Sequence, residues 1–341
     1  MTPSTPSIRR MPIRAAARSV LGLTMAAGLS VAAAAPAAAQ GDPAAPSGDP
    51  GAPPAGTSVG PAPTWSNVLY AETSPSQVLD LWIPETGEAP YPLVVFVHGG
   101  AFMMGDKSMD IAHIADVLEA GYAAAGVNYR LSGEALFPAA VQDVKAAVRF
   151  LRANADEYGL DPDAFAAWGA SAGGNLVSMV GTTGDQPTIL DDPSLGNADV
   201  SSAVRAVVAW FPPVDFLQMA GQFQAAYPAA CEGEPPSADS PESPESKYLG
   251  SPVQEVPELA AAANPITYIA SATQLPVFAI AAGDSDCLVP HQQSMLLHEA
   301  LQAAGATSTL TIVPGAGHGD PLIAETVTED VLATLAEVFG R

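Results

Sequence analysis

The hydrophobic pattern of this chain changes period in a repeating order. Pro92-Leu93-Val94-Val95-Phe96-Val97 is a continuous apolar run rich in β-branched residues, the signature of a strand buried on both faces, and it stops at His98-Gly99-Gly100. Ile111 to Ala120 can form a helix, and Tyr122 to Tyr129 reads as a second strand. From Pro138 to Asn154, residues Val141, Val144, Ala147, Val148 and Leu151 fall at helical spacing. Further strands are predicted at Ala164 to Trp168, Val204 to Trp210, Val277 to Ala281 and Thr309 to Val313, with helices at Gly173 to Val180, His291 to Ala304 and Glu325 to Phe339. Strands separated by helices specify right-handed crossovers and a mostly parallel sheet flanked by helices, an α/β architecture. Such sheets place their chemistry at the carboxyl ends of the strands.

The segment before this alternation carries two other patterns. Arg9, Arg10, Arg14 and Arg18 precede an apolar run from Val20 to Ala35 that ends in Pro36-Ala37-Ala38-Ala39, so residues 1–39 are expected to be a cleaved signal peptide. Gly22, Thr24, Gly28 and Ser30 make that run a poor permanent membrane span. The expected location is therefore secreted, periplasmic or extracellular, with general secretion and a twin-arginine route both open. Residues 40–63 are Gly, Pro, Ala, Ser and Asp with almost nothing to bury, and are expected to be a linker to a single domain over 64–341. Between the strands ending at Trp210 and beginning at Val277 lies a stretch rich in Pro, Ser and Glu. It reads as a lid-like insertion over about residues 216–263.

The sharpest chemical signal is Gly169-Ala170-Ser171-Ala172-Gly173, a Gly-x-Ser-x-Gly motif where a predicted strand meets a predicted helix. A turn this tight requires Gly169 and Gly173 to lack side chains, and it lifts Ser171 above the sheet against the positive end of the helix. A serine nucleophile needs a base, and in this context the expected order is Ser, acid, His. His98 and His113 come too early, and His291 and His298 fall seven residues apart on one helix face, as surface residues or an adventitious metal pair. His318, in the loop Pro314-Gly315-Ala316-Gly317-His318-Gly319 after a strand, is the expected general base. Asp286, in Gly283-Asp284-Ser285-Asp286-Cys287-Leu288-Val289-Pro290, is the expected acid, with Asp284 the competitor assigned to bracing the turn. The backbone amides of Gly100 or Ala101, together with Ala172, are the candidate oxyanion donors, and Phe102, Met103 and Trp210 the candidate pocket residues.

With these elements in order, the chain resembles the α/β-hydrolase fold and, within it, esterases and lipases similar to hormone-sensitive lipase. The resemblance is carried by His98-Gly99-Gly100, Asn128-Tyr129-Arg130-Leu131, Gly169 to Gly174 and Gly283 to Pro290, and it spans about residues 65 to 340. Ser243-Pro244-Glu245-Ser246-Lys247-Tyr248-Leu249-Gly250 and Asn264-Pro265-Ile266-Thr267-Tyr268-Ile269 resemble more closely secreted bacterial relatives of bifunctional feruloyl and acetylxylan esterases. The resemblance implies a carboxylic-ester hydrolase using Ser171, Asp286 and His318 on short-acyl, acetyl or feruloyl esters. Ala101 stands where the lipase-type loop has its third glycine, and Ala170 where hormone-sensitive-lipase relatives carry Asp. A serine peptidase or amidase of the same fold, and a non-catalytic binding or adhesion protein on this scaffold, are the alternatives.

Composition narrows the partners. Thirty-six acidic residues against 12 basic ones give a formal charge of −24, which excludes a protein that grips nucleic-acid phosphates and disfavours anionic membranes. The expected partner is a small-molecule or polymer-borne ester, with no stable membrane anchor and an oligomeric state left open. No phosphate loop, dinucleotide fingerprint or cysteine-based zinc motif occurs, so no cofactor and no metal are implied. Asp185, Asp191 and Asp192 lack the spacing of a calcium loop and read as a solvated turn. The two cysteines of an exported chain, Cys231 and Cys287, are expected to form a disulfide between the insertion and the Asp286 loop.

Overall fold

A computed structural model describes residues 60–184 and 186–341. The expected signal peptide and all of the expected linker before residue 60 lie outside the described residues. Order begins slightly earlier than the sequence suggests, because the Pro61 carbonyl accepts the Trp82 indole N–H at 2.8 Å and Thr64 N–H donates to the Leu81 carbonyl at 2.8 Å.

In chain order the elements are β1 (Trp65–Leu69), β2 (Val78–Trp82), β3 (Tyr91–Val97), α1 (Ile111–Glu119), β4 (Ala123–Val127), α2 (Ala139–Ala153), α3 (Ala155–Tyr158) and β5 (Leu160–Ala170). They continue with α4 (Ala172–Thr183), β6 (Ala206–Trp210), α5 (Phe216–Ala225), α6 (Pro244–Leu249), α7 (Pro257–Ala262), α8 (Ile266–Ile269), β7 (Val277–Gly283), α9 (Gln292–Ala303), β8 (Ser308–Val313) and α10 (Pro321–Phe339). One eight-stranded sheet has the order β1-β2-β4-β3-β5-β6-β7-β8. β1, β2 and β4 pair antiparallel, and β3 to β8 pair parallel, which makes this an α/β-hydrolase fold.

The alternation of side chains along each strand sorts the core into two layers. Leu93, Val95 and Val97 face one layer, where α2, α4 and α9 contribute Val144, Val148, Leu176, Val180, Leu297 and Leu301. Val94 and Phe96 face the other, where α1 and α10 contribute Ile114, Val117, Val327, Val331 and Leu335. Both faces of the parallel strands are thus covered, which explains why these strands are apolar throughout. β1 is largely exposed, and β2 is interrupted by a half-buried Asp80, so neither announces itself as a buried strand.

Every residue of α4 is buried. Ser178, Thr182 and Thr183 return their hydroxyls to the carbonyls of Gly174, Ser178 and Met179 at 2.7, 3.1 and 2.6 Å, satisfying buried polar groups within the helix itself. This anchored helix is the platform for the residue that precedes it.

Candidate active site

The strand-to-helix turn between β5 and α4 holds Ser171 at φ 55° and ψ −124°, a strained conformation for a residue with a Cβ. The strain is over-determined by its surroundings. Ser171 N–H donates to the Trp210 carbonyl at 2.9 Å, and the Ser171 carbonyl accepts Asn175 N–H at 3.1 Å. A Cβ on Gly173 would lie 1.9 Å from the Val97 carbonyl oxygen, and one on Gly169 would lie 2.4 Å from the Gly173 carbonyl oxygen, so both glycines are dictated by backbone packing against backbone.

Two loops at the carboxyl ends of β7 and β8 run side by side, joined by Ser285 N–H to the Ala316 carbonyl at 3.0 Å. They carry Asp286 and His318. Asp286 is buried, and its Oδ1 accepts the amides of Leu288 and Val289 at 2.8 and 2.9 Å. Its Oδ2 lies 2.7 Å from His318 Nδ1, and His318 Nε2 lies 2.9 Å from Ser171 Oγ. A carboxylate can only accept, so Nδ1 carries the proton and Nε2 presents its lone pair to the serine hydroxyl. Asp284 forms no hydrogen bond or ion pair with His318; its Oδ1 accepts Gly315 N–H at 2.7 Å and the Ser285 hydroxyl at 3.1 Å. The Phe211 ring packs edge-on to His318 with centroids 4.7 Å apart.

The third strand end, after β3, supplies the loop opposite Ser171. The Gly100 carbonyl accepts the amides of both Met103 and Met104 at 3.0 Å, and Gly100, Ala101 and Phe102 have φ of 105°, 57° and 60°. A side chain on Gly100 would collide with the Met104 carbonyl oxygen at 2.0 Å. Among the described residues no protein acceptor takes up the amides of Gly100, Ala101 or Ala172, and all three residues border the same cavity as Ser171 and His318.

His98 is not a chemical group of this site. It is buried, stacks on Tyr129 with centroids 4.4 Å apart, and places Nδ1 2.7 Å from the Gly99 carbonyl. Burial lowers its pKa, so the ring is neutral and braces the loop. Asn128-Tyr129-Arg130 completes that brace. Asn128 bonds Lys107 N–H and Asp106, Tyr129 OH donates to the His98 carbonyl at 3.0 Å, and Arg130 grips the fully buried Asp143 through two nitrogens at 2.8 and 2.7 Å.

The cavity over Ser171 has a volume of about 780 Å³. Of the three side chains expected to line it, Phe102 does so, buried and stacked on Tyr248 with centroids 3.9 Å apart. Met103 and Trp210 do not. The chain reversal at Ala101 and Phe102 sends Met103 into a separate groove with Ser132 and Lys247. Strand alternation turns the Trp210 side chain to the α1 and α10 face, where it meets Trp168 and His113.

Much of the remaining wall comes from the stretch expected to be an insertion over the site, though the sequence singles out no residue of it for the pocket. The segment between β6 and β7 contributes Met219, Phe223 and Ser237, then the stretch from Glu242 to Glu245. It is tied down by residues with no motif of their own. Gln293 accepts the amides of Val214 and Asp215 at 2.7 and 2.6 Å, and Asn175 donates to the Pro213 carbonyl at 2.9 Å. A Cys231–Cys287 disulfide joins this segment to the residue after Asp286.

The remaining candidates fall elsewhere. His113 stacks on Trp168 beneath the sheet, His291 directly precedes α9, and His298 bonds the Ser308 hydroxyl at 2.9 Å. Asp191 is not a solvated turn residue, because its Oδ1 lies 2.7 Å from the ammonium of the fully buried Lys145 and 3.6 Å from Arg149. Asp192 caps a short turn by accepting Ser194 N–H at 2.9 Å, and Asp185 lies outside the described residues. Among the described residues no group of His, Cys, Asp and Glu is placed to hold a metal ion, and no helix is long and apolar enough to cross a membrane.

Residues 79–301 match the BD-FAE family model. Esterase LipC of Mycobacterium tuberculosis is 28% identical over 75% of this chain and 60% of its own length. Esterase LipQ of the same organism is 28% identical over 81% of this chain and 63% of its own. The chain thus spans less than two thirds of the length of either of these curated relatives. Among solved structures, a truncated form of a carbohydrate esterase from gut microbiota superposes with a TM-score of 0.71 at 32% identity, covering 81% of this chain and 96% of that one. A bifunctional GH43-CE protein of Bacteroides eggerthii gives a TM-score of 0.70 at 32% identity, over 81% of this chain and 35% of that one.

Proposed function

The chain belongs to the BD-FAE family of α/β-hydrolase esterases, and from that premise we propose that it is a serine carboxylic-ester hydrolase with Ser171 as nucleophile. The observation that carries this reading is the continuous relay in which His318 lies 2.9 Å from Ser171 Oγ and 2.7 Å from Asp286. In the proposed reaction His318 Nε2 takes the hydroxyl proton as Ser171 Oγ adds to the ester carbonyl. The carbonyl oxygen becomes an oxyanion facing the amides of Gly100 or Ala101 and Ala172, the last at the first turn of α4, where the helix dipole has the same favourable sign. Collapse expels the alcohol, which receives the proton from His318, and leaves an acyl-enzyme. A water molecule, deprotonated by the same imidazole, then releases the acid and regenerates Ser171. Asp286 stays ionised throughout, holding the tautomer and stabilising the imidazolium.

The proposed substrates are short-acyl, acetyl or feruloyl esters, small or polymer-borne; the similarity of this chain to a carbohydrate esterase supports an ester on a carbohydrate without naming its acyl group. Export belongs to the same proposal. The Cys231–Cys287 bond is compatible with an oxidising compartment, and residues 1–39 would provide the signal. Release of p-nitrophenol from its acetate ester, compared between the protein and Ser171→Ala, tests the reading. The expected loss in kcat/KM is about 10⁴-fold or more with the fold retained. Equal rates in the two proteins would refute it.

A further inference from the structure

The segment between β6 and β7 carries an acid into the cavity. Glu245, on α6, borders the same space as Ser171 and is only 7% exposed. The polar groups beside it are its own amide and Ser243 Oγ, whose one proton goes to the Ala238 carbonyl at 2.8 Å. The cation on the same short helix, Lys247, pairs with Glu242 at 3.0 Å instead. Burial pushes the Glu245 carboxyl up to about 7, so at pH 8 it is mostly ionised without a cation to balance it.

A second acid has the same character. Asp110 also borders the cavity, its Oδ2 is buried without a hydrogen-bond partner, and burial raises its carboxyl to about 6. Among the described residues the cavity wall includes no Lys and no Arg, while its other side chains are mainly apolar, such as Phe102, Met104, Met219 and Phe223. A polar group left unpaired in such surroundings is costly, and a ligand that supplies the missing donor recovers that cost.

Resting on the assignment of Ser171 as the esterase nucleophile, we propose that Glu245 is a specificity-determining residue that selects esters bearing a hydroxyl donor and rejects esters bearing an anion. The hydroxyl of a bound ester donates to the Glu245 carboxylate. An ester with a methyl group in that place leaves the carboxylate unpaired, and one with a carboxylate there meets like charge from both Glu245 and Asp110. Hydrogen bonds to a charged partner set the expected hydroxyl-over-methyl preference at about 10- to 100-fold in kcat/KM.

The test uses two isosteric series at pH 8, followed by acid release in a pH-stat. One varies the alcohol, as acetates of 2-methylpropanol, of propane-1,2-diol at its primary hydroxyl, and of 3-hydroxy-2-methylpropanoate. The other varies the acyl part, as ethyl 3-methylbutanoate, ethyl 3-hydroxybutanoate and the singly charged 4-ethyl ester of methylsuccinate. The protein is expected to prefer the hydroxyl member and reject the anion in at least one series. Glu245→Gln should weaken the anion rejection, leaving the part that Asp110 supplies, and Glu245→Leu should reverse the order of hydroxyl and methyl members, with circular dichroism confirming that both variants fold. Ratios unchanged by both variants in both series, while hydrolysis still depends on Ser171, would overturn the role of Glu245 alone. Absence of Ser171-dependent hydrolysis of every probe and of p-nitrophenyl acetate would overturn the nucleophile assignment and this proposal with it.

Discussion

The Cys231–Cys287 bond joins the turn that presents Asp286 to a segment that walls the cavity, so replacing both cysteines by serine separates chain stability from site geometry. The bond closes a loop with a sequence separation of 56 residues. In the chain-entropy treatment that loop removes about 14 cal/mol/K from the unfolded chain, or about 4 kcal/mol at 25 °C. With about 280 ordered residues, each contributing about 2 cal/mol/K of unfolding entropy, the double variant should melt about 7 °C lower. Activity should respond much less. Asp286 Oδ1 is held by the amides of Leu288 and Val289, and the adjoining loop by Asp284 on Gly315, none of which involves sulfur. Calorimetry paired with p-nitrophenyl acetate hydrolysis at 25 °C should therefore show the lower Tm with kcat/KM reduced by less than about tenfold, a change of under 1.4 kcal/mol in the barrier. An unchanged Tm accompanied by loss of activity would mean that the bond acts through the position of Asp286 and not through the unfolded chain, the opposite of what is expected.

Replacing Asp286 by Asn keeps its shape but removes the charge and allows His318 the wrong tautomer, so kcat should fall by about 10³- to 10⁴-fold with little change in KM, read from steady-state kinetics. Glu245 makes a separate prediction about stability against pH. Its folded carboxyl is raised from 4.5 to about 7, so between these values the folded protein holds a proton that the unfolded chain has released, and stability falls as pH rises. The full penalty, present above pH 7, is about 3 kcal/mol. Urea midpoints should therefore show Glu245→Gln gaining on the parent protein between pH 4.5 and pH 8, and a constant difference across that range would contradict the burial of the charge.

The parts of this fold legible in the sequence are those where one physical requirement dominates. β3, β4, β6 and β7 must be apolar on both sides, and they read as continuous runs. The turn at Ser171 leaves room for nothing larger than glycine at two positions, and the order of acid and base follows from the order of strands. The illegible parts depend on balance among several weak requirements. β1 and β2 form the antiparallel edge, where exposure removes the apolar signal. α6, α7 and α8 have four to six residues each, too few for a period to show. Phe102 and Met103 are neighbours in sequence, yet the positive φ of Ala101 and Phe102 sends them to different sides of the loop. Asp191 looks solvated until α2 brings Lys145 against it, and Glu245 lies in a Pro, Ser and Glu stretch whose composition resembles surface.

The claim that Ser171 forms a covalent intermediate is tested most directly by titration with an aryl alkylphosphonate, which leaves a stable phosphonyl ester on an activated serine, followed by peptide mapping in a mass spectrometer. One equivalent of label is expected on the peptide containing Ser171, with loss of esterase activity in step, and no labelling of His318→Ala on the same timescale. Full inactivation with the label on another residue, or persistent esterase activity with Ser171 fully labelled, would contradict that claim.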